Sequence, residues 1–213
     1  MVTLGQDLFG DRVNLFNGAV SFEQTDVSLT GNNALPVAVT RTYSPRSWIV
    51  QGVLADWDLS TPRVEGTFPT AEGWIPGFGS AATRCSGYDA PPQVSRGAYS
   101  PQDFPPWEYG QGINLVIPGQ GSQEILKRAA ANTLKPPSGT YDLVTSKQWQ
   151  IGCLTDVLNA AGEGFTALAP DGVRYTFNWL ASRSQTPLRK GDAQLGRSDM
   201  YLELGHARGQ LRL

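Results

Sequence analysis

Apolar and polar residues alternate with a period of two along much of this chain, most regularly over residues 13–45. Val13 and Phe16 bound a short apolar run. Asn17-Gly18 follows, the dipeptide that most readily takes positive φ at both turn positions, and residues 19–29 then run on without Pro or Gly. This pattern predicts a hairpin. In its second arm Val20 and Phe22 share one face whereas Val27 and Leu29 fall on the opposite parity, so the strand must bulge or change face near Gln24-Thr25-Asp26. The turn Thr30-Gly31-Asn32-Asn33 and then Leu35-Pro36 lead into a third strand over 37–43, where Val37, Val39 and Tyr43 alternate with Ala38, Thr40 and Thr42. Arg41 lies on that apolar face. It needs a carboxylate, with Asp26 or Glu23 across the hairpin as candidates, or else an exposed edge.

Further strands are predicted over 56–60 and 63–68, split by Thr61-Pro62, and over 113–117 and 123–127 around a glycine-rich turn. Residues 124–132 have some helical character but read better as a returning strand, and 156–161 could form one helical turn. Strands resume over 140–145, 149–154 and 164–169, and another begins over 200–204 after a polar, basic stretch over 182–199. The turn Asp171-Gly172 then opens a run over 173–180 in which Val173, Tyr175, Phe177 and Trp179 share one face. Residues 71–111 are different. They are dense in Pro and Gly, and form an irregular excursion pinned by Trp74, Phe78, Tyr88, Phe104, Trp107 and Tyr109, packed over the sheet or against something else. The expected fold is all-β, with antiparallel hairpins in an open, twisted sheet and little helix. It forms a single segment, 1–213, made of amino-terminal hairpins (1–70), the excursion (71–111), further hairpins (112–180) and a polar tail (181–213).

The series Thr25-Asp26-Val27-Ser28-Leu29, Gly31, Leu35-Pro36-Val37 and Arg41-Thr42-Tyr43 resembles the segment that opens RHS/YD-repeat proteins, with Thr30 where that family usually has Pro. Residues 169–177, with Pro170-Asp171-Gly172, Tyr175 and Phe177, are similar to the family's PDG-x-x-Y-x-F hairpin. Between roughly residues 48 and 163 nothing matches, and no complete YD repeat occurs. The resemblance implies a wall segment of a bacterial shell, secreted or at the cell surface. Its strands would coil into a cocoon around a toxic carboxy-terminal cargo, with the rest of the shell and that cargo as partners. No catalytic residue or cofactor carries over.

Composition narrows the alternatives. A net charge of −2 with 17% charged residues leaves no basic patch for nucleic acid. No apolar run approaches the roughly 18 residues a membrane helix needs, and the first residues lack a signal-peptide pattern. Cys85 and Cys153 lie too far apart in sequence for a metal-ligand pair, and a disulfide and two free thiols weigh equally. For catalysis, Asp56 and Asp58 project to one face of a strand around Trp57, as two glycoside-cleaving carboxylates would, although such pairs are more often a solvated face. The single His206 lacks a G-x-S-x-G serine elbow to work with. Asp56, Asp58, Asn32 and Asn33 offer oxygens to calcium without a spaced calcium loop. Trp48, Trp57, Trp74, Trp107 and Tyr109 could stack on sugars in a carbohydrate-binding β-sandwich, or simply anchor turns in a core.

Overall fold

The computed structural model describes residues 11–13, 20–29, 37–43, 57–77, 80–96, 102–110, 112–130, 134–190 and 193–204. They are overwhelmingly antiparallel strand, with one short α-helix and one 3-10 turn. Where one continuous segment was expected, the chain divides into two compact units, Met1–Thr61 and Pro62–Leu213.

The first unit is a four-stranded sheet in the order β1 (Asp11–Val13), β2 (Val20–Leu29), β3 (Val37–Tyr43) and β4 (Trp57–Leu59). The change of parity in β2 is a bulge: Thr25 stands opposite Thr40 and Val27 opposite Val39, leaving Asp26 as the extra residue. Cross-strand partners share a face, so the bulge returns Val27 to the side of Phe22, Val39 and Tyr43. Asn17, Gly18, Gly31, Leu35 and Pro36 lie outside the described residues.

The second unit begins with β5 (Arg63–Pro69). Within the excursion it carries the 3-10 turn Ala81–Thr83, the ribbon strands β6 (Val94–Arg96) and β7 (Gln102–Phe104), and helix α1 (Pro106–Tyr109). Then come β8 (Ile113–Ile117), β9 (Gly121–Lys127), β10 (Leu143–Thr145), β11 (Gln150–Leu154), β12 (Gly164–Leu168), β13 (Arg174–Lys190) and β14 (Ala193–Leu204). Residues 124–127 are strand, and residues 156–161 form no helix.

Here the expectation of an open sheet is corrected. Strands β10, β11, β12, β13, β14, β5, β8 and β9 follow one another in a closed barrel, because β9 also pairs with β10. The polar tail is corrected with it. Residues 181–190 and 193–204 belong to the paired strands β13 and β14, the strand expected over 200–204 being the end of β14, and β14 is the strand that joins β13 to β5. The hairpin arms continue past the start of β12, where no barrel interior dictates an apolar stripe, so the composition there reads as loop although the backbone is paired.

Inward side chains fill the barrel. Phe165 and Phe177 face each other across β12 and β13, and Leu115, Ile125 and Ile151 complete the buried ring. The face predicted for β13 holds as far as Phe177. A register shift between Phe177 and Trp179 then reverses it, so Leu180 packs on the core while Trp179 is 40% exposed.

The excursion leaves β5 and returns through β8, which are neighbours, so it begins and ends at the barrel mouth where β11 stops and β12 starts. Trp74 closes the floor of this mouth, 4.8 Å from Phe68 and 5.8 Å from Phe165 between ring centroids. A second small core gathers Val94, Phe104, Tyr109 and Leu195, with Leu188 from the projecting hairpin. Cys85 and Cys153 are bonded, across a sequence separation of 68. Closing a loop of that length is worth about 4 kcal/mol in the chain-entropy picture.

Candidate functional site

The described residues that carry the RHS resemblance in the first unit, 25–29, 37 and 41–43, come together on β2 and β3. Arg41 faces the bulge, and its Nε and Nη2 donate to Asp26 Oδ2 at 2.5 Å and Oδ1 at 2.7 Å. Of the partners open to Arg41, the bulge selects Asp26. The guanidinium holds the Asp26 carboxyl below its ordinary 3.8, chiefly by hydrogen bonding, against desolvation and with a smaller contribution from charge attraction. Arg41 is raised in turn by the same bonds and charge. Both groups are solvent-accessible, so the pair adds little to stability; its geometric effect is to cancel a charge in an apolar surface.

That surface surrounds the pair. Phe22, Tyr43 and Trp57 form a ladder with centroids 6.1 and 5.4 Å apart, and the Arg41 guanidinium lies 5.2 Å from the Trp57 ring centre. Val20, Phe22, Val27, Leu29, Val39 and Leu59 are 36 to 61% exposed. Large side chains on one sheet face, with their single ion pair neutralised internally, suit an apolar partner better than a charged one. Thr25, also part of the motif, bonds to Thr40 through their hydroxyls, 3.1 Å apart.

The second resembling motif is a tight turn between β12 and β13. Gly172 takes φ +92°, its N–H donates to Ala169 O at 2.9 Å, and Asp171 Oδ1 accepts the Val173 N–H at 3.0 Å. Pro170 is exposed beside it. Tyr175 and Phe177 leave this turn stacked on each other, 6.4 Å apart, and burial followed by the Asp171 charge raises the Tyr175 hydroxyl pKa. These residues build barrel wall.

The chemical candidates fare differently. Asp56, His206, Trp48, Asn32 and Asn33 lie outside the described residues, as does the side chain of Asp58, whose backbone pairs with Thr42. No group of three or more His, Cys, Asp or Glu positioned to hold a metal ion occurs among the described residues. The five-residue aromatic platform is not assembled, because Trp74 and Tyr109 are core residues. Burial, then the Glu72 charge, pushes the Tyr109 hydroxyl up to about 12, and it donates to Pro92 O. Trp107, on α1, is 78% exposed.

One cluster had no signal in the sequence beyond its cysteine. Residues 80–88 cross the barrel mouth. At one end Cys85 is bonded to Cys153 of β11, and Glu163, just before β12, collects the Cys85 and Ser86 N–H groups and the Ser86 hydroxyl at 2.9, 2.7 and 2.8 Å. Buried Arg84 donates to Glu163 O at 2.6 Å and Ala161 O at 3.2 Å; desolvation lowers its pKa while the Glu163 charge raises it. At the other end the Tyr88 hydroxyl donates to Ile125 O of β9. Two buried donors in this layer, Trp74 Nε1 and Arg84 Nε, have no hydrogen-bond partner among the described residues. Each such group costs about 1–3 kcal/mol.

No family model, curated protein or solved structure matches the chain.

Proposed function

We propose that this chain is a non-catalytic structural segment of an RHS/YD-repeat shell that encloses a carboxy-terminal toxin or effector. The observation that carries the reading is the amino-terminal sheet. Its described resembling residues lie on the paired strands β2 and β3, which present a broad exposed apolar face on which Asp26 and Arg41 cancel each other's charge. Such a face is what a sheet offers when neighbouring wall covers it. Its outer strands, β1 and β4, each pair on one side among the described residues, leaving edges along which antiparallel sheet can continue. The barrel has no free edge, so in this reading it is a self-contained module of the shell and the continuous wall runs through the first unit. A disulfide fits a secreted or surface protein of an oxidising compartment. The partners are the rest of the shell and its cargo.

Electron cryomicroscopy of the full-length gene product tests this. The expected image is a hollow particle whose wall includes the β2–β3 hairpin, with its apolar face covered. A product without a chamber, in which that face stands in solvent, would overturn the assignment.

A further inference from the structure

We propose that residues 80–88 are a redox-locked strap across the aromatic mouth of the barrel, closed while Cys85 and Cys153 are bonded and open once they are reduced. The device is independent of the shell reading. Its hinges are unequal. One end is held by the disulfide and by Glu163 and Arg84, the other, among the described residues, by the Tyr88 hydroxyl on Ile125 O and by packing of the Tyr88 ring on the core. The layer beneath it contains unpartnered donors on Trp74 and Arg84, which favour opening toward water. The covalent bond therefore offsets a polar layer that is only partly satisfied.

The two sulfurs differ in access. Cys85 is buried and Cys153 belongs to an exposed position of β11, so attack enters at Cys153. A thiolate of a dithiol reductant bonds to Cys153 Sγ, the bond between the cysteines breaks, and Cys85 departs as a thiolate that takes a proton from water. The second thiol of the reductant, as thiolate, then displaces Cys153. This leaves the reductant as a cyclic disulfide and the protein with two more electrons. With the strap free, Phe68, Phe165 and Trp74 face solvent at an open mouth. A reducing compartment thus keeps the mouth open and an oxidising one closes it.

The test reduces the folded protein with a dithiol and follows alkylation of each cysteine by mass spectrometry, alongside near-ultraviolet circular dichroism and binding of an anilinonaphthalene dye. Cys85 is expected to alkylate within about tenfold of the rate of Cys153 while the barrel signal persists, with more dye bound by the reduced form than the exposed face of the first unit already binds in the oxidised form. Glu163→Ala should speed Cys85 labelling further in reduced protein and leave the oxidised protein closed. Labelling of Cys85 only at the rate of global unfolding would overturn the strap, and so would complete loss of the dichroism signal on reduction, which would make the bond a staple of the whole fold. The double variant Cys85→Ser with Cys153→Ser should bind, without reductant, as much dye as the reduced protein; a folded double variant that binds no more than the oxidised protein also overturns it.

Discussion

Gly162 lies directly against the strap backbone, and Gly162→Ala measures how much that close approach matters. Gly162 sits at φ +97°, and a Cβ built there would lie 1.9 Å from Ala81 O and 2.4 Å from its carbonyl carbon, against the 3.4 Å at which ordinary contact begins. Backbone cannot swing aside as a side chain can. The strap must lift, taking with it the Glu163 N–H bond to Ala81 O at 3.2 Å and loosening the Arg84 bond to Ala161 O. Placing alanine at positive φ costs about 1 kcal/mol. Overpacking and the lost hydrogen bonds bring the total to about 2–4 kcal/mol. Gly172→Ala separates the two contributions, since Gly172 has nearly the same φ, +92°, with nothing within 4 Å of its built Cβ. It should lose only the conformational part, about 1 kcal/mol. Both variants can be compared by urea unfolding followed through tryptophan emission, with unchanged slopes as the condition for reading midpoints as stability. Equal losses in the two, within about 0.5 kcal/mol, would refute the close approach.

Three further outcomes are expected. Phe177→Ala removes a ring packed on Phe165 and Tyr175 inside the barrel and should cost about 3–5 kcal/mol by denaturant titration; a loss below about 1 kcal/mol would mean the interior is not packed as described. Asn159→Ala deletes an amide that receives the Leu180 N–H at 2.8 Å and donates to Leu180 O at 2.7 Å, so stability should fall by about 1 kcal/mol and the Leu180 amide should exchange faster with deuterium. The Asp26 carboxyl, followed by carbon-detected NMR, should titrate below 3.8 and return toward that value in Arg41→Ala. Because its folded value is depressed, its contribution is present above the unfolded value and is lost as pH falls through the folded one; a midpoint unmoved by Arg41→Ala would contradict the pairing.

Much of the strand pattern was legible because alternation is a local property. Val20, Phe22, Val27 and Leu29 announced a bulge through their parity alone, and Arg41 on an apolar face required the carboxylate that the bulge supplies. The turn at Asp171-Gly172 was equally plain. Barrel closure was not, since the pairing of Leu143 with Lys127 joins strands whose individual patterns say nothing about a ring. Nor did the polar part of β13 and β14 between the strands expected over 173–180 and 200–204 declare itself: past the barrel it contacts the small core of Phe104 and Tyr109 mainly through Leu188 and Leu195, too few apolar positions to show a period. Arg84, Asn159, Gly162 and Glu163 act through backbone groups distant in sequence, and no spacing reveals such partners.

The two register shifts in β13, at Phe177/Trp179 and at Gln185/Leu188, let a single ribbon serve two separate cores in succession. Each acts as a phase correction. A family tree of such chains should therefore punish the gain or loss of one residue between Phe177 and Leu188, because every position downstream would then show the wrong side to its neighbours. Recombination or repeat slippage within that interval would scramble orientation without changing composition, which makes the hairpin's length, more than its lettering, the inherited quantity.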